Sequence, residues 1–278
     1  MLIDLHVHSN VSDGTLSPSQ VVQLAKEKGL CAIALTDHDT IDGLDEAMKA
    51  GHLHQVEIIP GIELSAEFPK DNLHFVGLLI DYKNKAFLDK LRPLKDARKI
   101  RNKKMLSQLQ ALGFNITVDE NSSVTTRAHF ARALLEGGYV ASMEEAFELY
   151  LSPGKPGYLK RVTPSPKECI DLIHDAGGIA ILAHPTLYKL KTTEIEELIA
   201  SLADDGLDGI EAIYPLHTPE EETYFIDLAK RYSLIISGGS DFHGDNKPGL
   251  ELGTGYGNLK IPHAVLDVIK NKSKAKNE

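Results

Sequence analysis

The stretch LIDLHVHSNVSDGTLSPSQVVQLAKEKGLCAIALTDHDT, residues 2–40, decides the fold class. Alternating apolar residues over Leu2–His8 predict a strand, and the apolar run Cys31–Thr36 predicts a second, buried one. Between them, Ser17-Pro18 is typical of a helix start and Gly29 of a helix end. A strand, a helix and a strand in succession indicate one unit of a parallel sheet.

The strand–helix alternation continues through most of the chain. Further strands are predicted over Val56–Ile59, Leu73–Ile80, Ile179–Ala183, Gly209–Ile213 and Leu234–Ser237. Further helices are predicted near Gly43–Ala50, over Pro166–Ala176, Thr193–Ala203 and Pro219–Arg231, and near His263–Asn271. The repeated units imply an α/β protein whose parallel sheet is either open or closed into a barrel.

The middle of the chain follows a different pattern. Helical periodicity extends over Phe87–Leu112, Thr126–Glu136 and Met143–Leu151, and a return loop rich in Pro and Gly covers Ser152–Thr163. No strand pattern interrupts these helices, so we expect a helical insertion over residues 83–161. The barrel would then be discontinuous, over 1–82 and 162–270, and residues 271–278 would form a frayed tail.

Charge is distributed unevenly between this insertion and the rest of the chain. The chain carries 30 Lys and Arg against 40 Asp and Glu, a net charge of −10. Residues 83–161 hold 15 basic and 8 acidic side chains, a net charge of +7, which leaves −17 for the remainder. The acidic total argues against a protein that binds long duplex nucleic acid through its phosphates. A basic insertion in an acidic chain suggests one part that holds cations and another that meets an anion.

Nothing in the sequence predicts export or membrane insertion. With 42% apolar and 25% charged residues, the composition is that of a soluble globular enzyme. Apolar runs such as Val76–Ile80 fall far short of the roughly 18 residues of a membrane span. The start Met1-Leu2-Ile3-Asp4 lacks the basic and apolar regions of a signal peptide. We therefore expect a cytoplasmic protein without a membrane partner.

Side chains of types that can bind metal ions lie at or near the ends of the predicted strands. They are His6, His8, Asp37, His38, Asp39, Glu63, His74, His184, Asp241 and His243. The carboxyl ends of parallel strands open on one face of a barrel, so residues scattered along the whole chain would converge there. His6 and His8 are two apart on a strand and point to the same side.

Each of these pieces has a simpler interpretation by itself. A lone His-x-His is more often a surface pair, and His52-Leu53-His54 has the same spacing in a segment that we interpret as solvent-exposed. His184-Pro185 fits a core histidine, and Asp37-His38-Asp39 fits a turn or helix cap. The combination of six histidines with carboxylates at successive strand ends is the stronger signal. Imidazole and carboxylate without thiolate suit Zn, Mn or Fe(II), and this number of ligands is enough for two or three ions.

The motifs as a set resemble the polymerase and histidinol phosphatase (PHP) family. The matching residues are His6-Val7-His8, Asp13, Thr36-Asp37-His38-Asp39, Gly61-Ile62-Glu63, Ala183-His184-Pro185 and Gly239-Ser240-Asp241-Phe242-His243. The resemblance implies a distorted seven-stranded β/α barrel that carries a trinuclear metal site. Within the insertion, Arg101-Asn102, Arg127-Ala128-His129-Phe130-Ala131 and Gly157-Tyr158 resemble the bacterial branch that contains 3′,5′-nucleoside bisphosphate phosphatases and a 5′→3′ exonuclease of short RNA.

The resemblance also implies a role for each ligand. His6, His8, Glu63 and Asp241 would hold the first ion, Glu63, His74 and His184 the second, and Asp13, His38 and His243 the third. Asp13 stands where some members of the family have a histidine. Two to three divalent ions (Mn, Fe or Zn) would share a bridging hydroxide, held by Glu63, Asp241 and His243, as the nucleophile. Asp37 and Asp39 would either orient imidazoles or cap a turn.

The insertion offers candidates for binding an anionic substrate. Arg98 and Arg101 are three apart on a helix and share one face. Thr125 or Thr126 would cap the helix whose first turn carries Arg127 and His129. The remaining candidates are Lys155, Tyr158 (as a platform for a base) and Arg161 near the return loop, and Glu211, Tyr214 and His217 after a strand. The simpler interpretation of the arginines is a solvated basic face.

Several functions are compatible with these features. The leading one is a metal-dependent phosphoesterase that hydrolyses a small nucleotide, with the insertion gripping a second phosphate. The alternative in the same class is an exonuclease on short 5′-phosphorylated RNA or DNA. A histidinol phosphatase fits less well, because its substrate carries a cationic amine that the basic insertion would repel. A non-catalytic metal-bound accessory domain is the alternative from a different class. Amidohydrolase chemistry is disfavoured, since no lysine suited to carbamylation follows a predicted strand.

Overall fold

Seven strands and nine α-helices make up the computed structural model over the residues that it describes, 1–69, 72–118 and 124–277. The strands are β1 Leu2–Val7, β2 Leu30–Leu35, β3 Glu57–Ala66, β4 Leu73–Leu78, β5 Ile179–Leu182, β6 Gly209–Ile213 and β7 Ile235–Gly238. The helices are α1 Pro18–Glu27, α2 Leu44–His54, α3 Lys85–Ala111, α4 Arg127–Glu136, α5 Met143–Ala146, α6 Pro166–Asp175, α7 Thr192–Asp204, α8 Pro219–Arg231 and α9 His263–Asn277. A π-helix, Phe147–Leu151, continues α5. Within these ranges no helix combines the length and the apolar character that crossing a membrane requires.

Local sequence sets where several of the helices begin. α1, α6 and α8 each open with a proline that follows a capping residue: Ser17, Ser165 and Thr218. In each case the cap hydroxyl accepts a hydrogen bond from the backbone N–H three residues later, and the Gln or Glu at that position accepts one from the cap N–H. The predicted starts of these helices are confirmed.

The strands form one sheet in chain order, from β1 to β7. Neighbours pair in parallel except at β4, which is antiparallel to both β3 and β5. The expectation of an all-parallel sheet is therefore wrong at this strand, because the link of residues 67–72 is too short for a crossover helix. The reversal has a useful consequence, since it places His74, at the start of β4, opposite Ser65 near the end of β3.

The last strand returns to the first. The Asp241 N–H donates to the carbonyl of His6 at 2.8 Å, and the His8 N–H donates to the carbonyl of Phe242 at 2.9 Å. The end of β1 and the segment after β7 are thus hydrogen-bonded, as in the distorted β/α barrel that the sequence predicts. Apolar side chains alternate between two clusters on the two faces of the sheet, for instance Ala180 and Leu182 in one and Ile179 and Ile181 in the other.

The helical segment between β4 and β5 has an apolar cluster of its own. Its buried members include Met105 and Leu109 of α3, Phe130 and Leu134 of α4, and Leu151. These helices were predicted close to their observed bounds, and the limits of the segment as a domain remain a prediction.

The C-terminal helix is longer than predicted. The frayed tail expected from residue 271 is wrong, because α9 continues to Asn277. Lys276 Nζ lies 2.7 Å from Asp208 Oδ1, and Lys272 Nζ lies 3.7 Å from the same atom. These ion pairs to a buried carboxylate fix the last turns of the helix on the barrel. Residue 278 lies outside the described range.

Candidate metal centre

Nine predicted ligands meet at one edge of the sheet. They are His6, His8, Asp13, His38, Glu63, His74, His184, Asp241 and His243. The side chain of His74 is 25% exposed, and those of the other eight are at most 12% exposed. The carboxyl ends of the parallel strands and the reversed start of β4 all open on this edge, which explains the convergence.

Glu63 lies at the centre of the group. Five imidazoles have a ring nitrogen within 3.5 Å of its carboxylate, namely His6, His8 and His38 at Oε2 and His74 and His184 at Oε1. The shortest separation, 2.9 Å, joins Oε2 to His38 Nδ1. Glu63 was expected after its strand, but β3 continues to Ala66 because its second half pairs with the reversed β4.

The other two carboxylates lie on either side of His8 and His243. Asp241 Oδ1 is 3.4 Å from His8 Nε2 and 3.4 Å from His243 Nδ1. Asp13 Oδ1 is 3.2 Å from His243 Nε2, and Asp13 Oδ2 is 3.6 Å from His38 Nε2. Asp13 therefore occupies a ligand position although its place in the chain is a loop and not a strand end.

The donor atoms fit divalent metal ions. Four groups of three or four of these side chains have donor atoms within 4.8 Å of one another. In the described part of the chain, His8 Nδ1, His184 Nδ1 and Glu63 Oε2 are buried without a hydrogen-bond partner. Burying polar atoms in this way is costly unless a ligand satisfies them, and neutral imidazole with carboxylate is the donor set of Zn, Mn and Fe(II).

Electrostatics keep the carboxylates ionised. Burial alone would raise the pKa of Glu63, but His38, His74 and His6 reverse this and hold it well below the usual value. The pKa of Asp241 is likewise held well below its usual range, against the effect of burial, by Lys247 and His6. The pKa of Asp13 is also held well below its usual range, against the effect of burial, by His38 and His243. Three buried carboxylates in the ionised form are suited to binding cations.

Backbone strain accompanies the ligands that follow β5 and β7. His184 has φ = 29° and Asp241 has φ = 56°, both in the left-handed region that side chains rarely adopt. Gly239 lets the chain approach β1, since a Cβ there would lie 2.2 Å from His6 Cβ. Strain of this kind persists where the surroundings enforce it, and it concentrates at functional sites.

Glu211 and Tyr214 contact three of the candidate ligands. Glu211 Oε1 is 3.0 Å from His6 Nδ1, and its Oε2 accepts a hydrogen bond from the His184 N–H at 2.7 Å. The Tyr214 hydroxyl donates to Asp241 Oδ2 at 3.0 Å. The sequence placed these two residues near the site only as lining, but their contacts orient three ligands.

Asp37 and Asp39 bind groups other than imidazoles. Asp37 accepts hydrogen bonds from the Ser9 N–H at 2.8 Å, the Ser9 hydroxyl at 2.7 Å and the Ser12 hydroxyl at 2.6 Å, so it secures the loop that leads to Asp13. Of the two predicted roles, this one is turn capping. Asp39 forms ion pairs with two arginines instead, which the sequence did not predict.

Two cavities adjoin the ligand cluster. The arginine cavity measures about 170 Å³, and its wall includes Arg98, Arg101, Arg127, Tyr158 and Arg161 together with Asp13, His38 and His74. The second cavity measures about 280 Å³, and its wall includes Met143, Phe147, Leu187 and Lys247 together with Glu63, His184, Asp241 and His243. The candidate metal centre thus forms part of the wall of both.

The four arginines are not equivalent. Arg98 and Arg161 both contact Asp39 Oδ2, with Arg161 Nη1 at 2.7 Å. Arg101 is only 8% exposed, and its Nη1 lies 3.6 Å from Met105 Sδ. Among the described residues its Nε has no hydrogen-bond partner. Burial and the neighbouring Arg98 and Arg161 lower the pKa of Arg101 to about 8, which leaves it charged at neutral pH. A buried cation of this kind suits an anionic ligand.

Arg127 lines the arginine cavity. Its guanidinium lies 5.6 Å from the centre of the Tyr158 ring, and its Nη1 is 3.4 Å from the carbonyl oxygen of Leu151 at the end of the π-helix. The sequence left Thr125 and Thr126 as alternative caps of α4, and Thr126 is the cap in the structure. The Tyr158 face that was predicted as a platform for a base is thus close to an arginine.

The other predicted substrate residues lie apart from the cavity walls described above. His129 Nδ1 accepts a hydrogen bond from the Thr126 N–H at 3.0 Å and so completes the cap of α4. Lys155 is exposed in the return loop. His217 is buried with its Nδ1 2.8 Å from the Ala212 carbonyl, and its ring packs on Phe225.

Lys247 is a residue that sequence reasoning missed. Its Nζ forms an ion pair with Asp241 Oδ2, and it lines the second cavity. Its position only four residues after His243 was the available signal.

Several characterised proteins are similar to this chain. A 3′,5′-nucleoside bisphosphate phosphatase of Chromobacterium violaceum is 36% identical over 257 residues, which cover 90% of each chain. A 5′-3′ exoribonuclease, Rnm, of Salmonella typhimurium is 35% identical over 262 residues, covering 91% of this chain and 88% of that protein.

Solved structures show the same fold. An amidohydrolase from Chromobacterium violaceum with bound sulfate and no metal is 34% identical, with a TM-score of 0.86 over 99% of this chain and 97% of that one. A putative metal-dependent phosphoesterase from Bifidobacterium adolescentis is 30% identical, with a TM-score of 0.85 over 97% of this chain and 96% of that one. Residues 4–224 match the PHP domain, and with the ligand cluster at its barrel edge this chain belongs to the PHP domain family.

Proposed function

We propose that this protein is a metal-dependent phosphomonoesterase that releases phosphate from a small nucleotide carrying a second phosphate, a 3′,5′-nucleoside bisphosphate. One observation carries the proposal: Asp13, His38 and His74 of the candidate metal centre line the same cavity as four arginines. A molecule in this cavity would meet both candidate metal ligands and cationic side chains. A compound with two phosphates satisfies both.

Two or three divalent ions, Mn, Fe or Zn, would occupy the ligand cluster. Following the resemblance to the family, we assign His6, His8, Glu63 and Asp241 to one ion, Glu63, His74 and His184 to a second, and Asp13, His38 and His243 to a third. Bound ions of this kind neutralise phosphate oxygens and lower the pKa of a bound water. The chain holds the site rigid through Glu211 and Tyr214, which fix the orientation of His6 and Asp241.

The arginine cavity would bind the phosphate that does not react. Arg98 and Arg161 pair with Asp39. We assign the remote phosphate to Arg101 and Arg127, which line the same cavity. Gripping the remote phosphate orients the substrate, so that the other phosphate lies at the metal centre. Lys247 adds positive charge on the opposite side of the ligand cluster, beside Asp241.

The size of the site favours a small substrate. The two cavities, of about 170 and 280 Å³, share Asp13, His38 and His74 in their walls, and together they are on the scale of a small-molecule site. Outside residues 83–161 the chain carries a net charge of −17, which disfavours extended contact with a duplex.

The second candidate is a 5′→3′ exonuclease on short 5′-phosphorylated RNA. It is favoured by the exoribonucleases among the similar proteins, which match this chain nearly as well as the phosphatase does. The same arginines would then hold the terminal 5′-phosphate, and the scissile phosphodiester would lie at the ligand cluster.

A substrate panel tests the proposal. Phosphate release would be measured with a nucleoside 3′,5′-bisphosphate, the matching 3′-monophosphate and p-nitrophenyl phosphate, each with Mn, Zn, Fe or Mg. Mononucleotide release from a 5′-phosphorylated trinucleotide RNA would be measured in parallel. We expect the bisphosphate to have the highest kcat/KM, whereas a preference for the trinucleotide would favour the exonuclease.

Arg127→Ala sharpens this test. A charge-assisted contact to phosphate contributes roughly 1.5–3 kcal/mol, so the variant should lose about ten- to a hundredfold in kcat/KM for the bisphosphate. p-Nitrophenyl phosphate should react at nearly the parental rate, because the ligands of the ions are untouched. An equal loss on both substrates would place Arg127 at the reacting phosphate and contradict the proposed grip.

A further inference from the structure

Two loops that carry candidate ligands are hydrogen-bonded to each other. The Thr15 N–H donates to the carbonyl of His243 at 3.2 Å, and the Asp245 N–H donates to the Thr15 hydroxyl at 3.0 Å. The Asn246 side-chain amide donates to the carbonyl of Asp13 at 2.7 Å. These contacts hold Asp13, which follows β1, next to His243, which follows β7.

The amide of Asn246 is fixed from its other side by the helical insertion. Arg132 Nε donates to Asn246 Oδ1 at 2.7 Å, and Arg132 Nη2 contacts the same oxygen. Asn246 therefore uses both ends of its amide, the oxygen toward α4 and the nitrogen toward the Asp13 backbone. It is the link between the insertion and the loop of a candidate ligand.

The position of Asp13 decides whether its group of ligands is complete. Its carboxylate closes a cluster with His38 and His243, at 3.6 and 3.2 Å from their ring nitrogens. Asp13 lies on a loop after β1, whereas His38 and Phe242, the neighbour of His243, form backbone bridges to Glu63 and Val7. A residue that fixes the backbone of Asp13 therefore fixes a ligand that the sheet does not hold.

We infer that Asn246, held by Arg132, is a positioning residue for the ion bound by Asp13, His38 and His243. It sets the affinity for that ion and joins it to the insertion. The inference rests on the proposed role of these three side chains as metal ligands.

The same helix connects this ion with the arginine cavity. Arg127 is the first residue of α4 and lines that cavity, and Arg132 lies five positions later on the same helix. At 1.5 Å per residue the two are separated by about 7.5 Å along the helix axis. The proposed binding of the remote phosphate by Arg127 and the positioning of Asp13 through Arg132 thus both depend on where α4 lies.

Mn²⁺ binding to the metal-free, full-length protein tests the inference. Calorimetric titration would give the number of sites and the affinity of each, and elemental analysis after dialysis would give the bound content. Asn246→Ala should weaken one site by about ten- to a hundredfold and leave the others at the parental affinity. Arg132→Ala, which removes the hold from the other side, should weaken the same site, and Arg132→Lys should restore most of its affinity.

Asn258→Ala is the matched control. The Asn258 amide also donates to a backbone carbonyl, that of Pro215 at 2.9 Å, on a loop that carries none of the nine ligands. It should change no Mn²⁺ affinity. Thermal unfolding of the metal-free variants would show whether any variant is simply less stable.

Two results would overturn the inference. One is an unchanged set of Mn²⁺ affinities in both Asn246→Ala and Arg132→Ala. The other is an equal weakening of all sites, which would indicate general support of the barrel mouth. A parental protein that bound no Mn²⁺ would contradict the proposed metal-dependent function itself. That result is distinguishable from the two above, in which the parental protein binds Mn²⁺ and the variants decide the inference.

Discussion

The ligand cluster and the arginine cavity share a wall but differ in charge balance. In the cluster, six imidazoles surround three carboxylates, with ring nitrogens within 3.7 Å of carboxylate oxygens. Four guanidinium groups line the cavity, and two of them, those of Arg98 and Arg161, pair with Asp39. The first region has the donor groups of a cation site, and the second is lined by cationic side chains. The proposed substrate, a phosphate ester with a second anionic group, would suit both regions.

The two regions also differ in what holds them. Most ligands lie on barrel strands or directly after them, in a sheet whose core is separate and apolar. The arginines come from α3, α4 and the return loop, and Asp39 ties two of them, Arg98 and Arg161, to the barrel. We therefore expect changes in the first region to remove catalysis without unfolding the protein, and changes in the second to alter stability, specificity or both.

The largest effect is expected for Glu63→Gln. The amide keeps the volume but removes the charge that five imidazoles surround, so turnover should fall by at least about 10³-fold with metal supplied. Initial rates and bound metal content would be measured together. His52→Ala is the control, because it has the same His-x-His spacing on an exposed helix end and should leave both unchanged. Near-parental turnover in Glu63→Gln would exclude the cluster as the active site.

Asp39→Asn should have the largest effect on stability. It leaves Arg98 and Arg161 buried without their counter-charge, which should lower the free energy of unfolding by about 3–5 kcal/mol. Asn tolerates the left-handed backbone of this position, φ = 50°, so the effect is electrostatic. Urea unfolding at pH 7 would measure it. Asp45→Asn, at an exposed pair with Lys83, should leave the urea midpoint unchanged.

The difference in unfolding free energy between the parental protein and Asp39→Asn should depend on pH through the pKa of Asp39. Burial raises this pKa, but Arg161 and Arg98 outweigh burial and hold it below the usual range. The stabilisation is thus present above the unfolded-state pKa of about 3.9 and is lost as the pH falls through the folded-state value. The gap between the parental protein and Asp39→Asn should persist from pH 5 to 8 and narrow only below about pH 4. A gap that closed at pH 6 would mean that another group is responsible.

The smallest effect, and the one that separates the two regions most clearly, is expected for Arg101→Met. Replacing a buried cation that lies among other arginines with an apolar side chain of similar length should leave the unfolding free energy unchanged or raise it by about 1 kcal/mol. Hydrolysis of the bisphosphate should fall while that of p-nitrophenyl phosphate should not. A clear loss of thermal stability would show that Arg101 supports the fold and would weaken its assignment to substrate binding.

Much of the candidate site was predictable because its information is local. Strand periodicity places His6 and His8 on one side of β1, and the order of strands and helices brings the ends of successive strands together. Thr126, Ser165 and Thr218 mark helix starts by short-range capping. The reversed β4 was not predictable from these patterns, because strand direction depends on the length of the link and on the partner strands.

The sequence by itself determined the α/β class, the helical insertion and the nine side chains that meet at the barrel edge. Only the tertiary structure decided that Asp39 pairs with Arg98 and Arg161, that Glu211 orients His6, and that Asn246 joins Arg132 to Asp13. These partners are 59, 122, 205, 114 and 233 residues apart in the chain. No periodicity or local spacing encodes contacts of that range, since they arise only when the barrel strands close on one another and the insertion packs on the barrel.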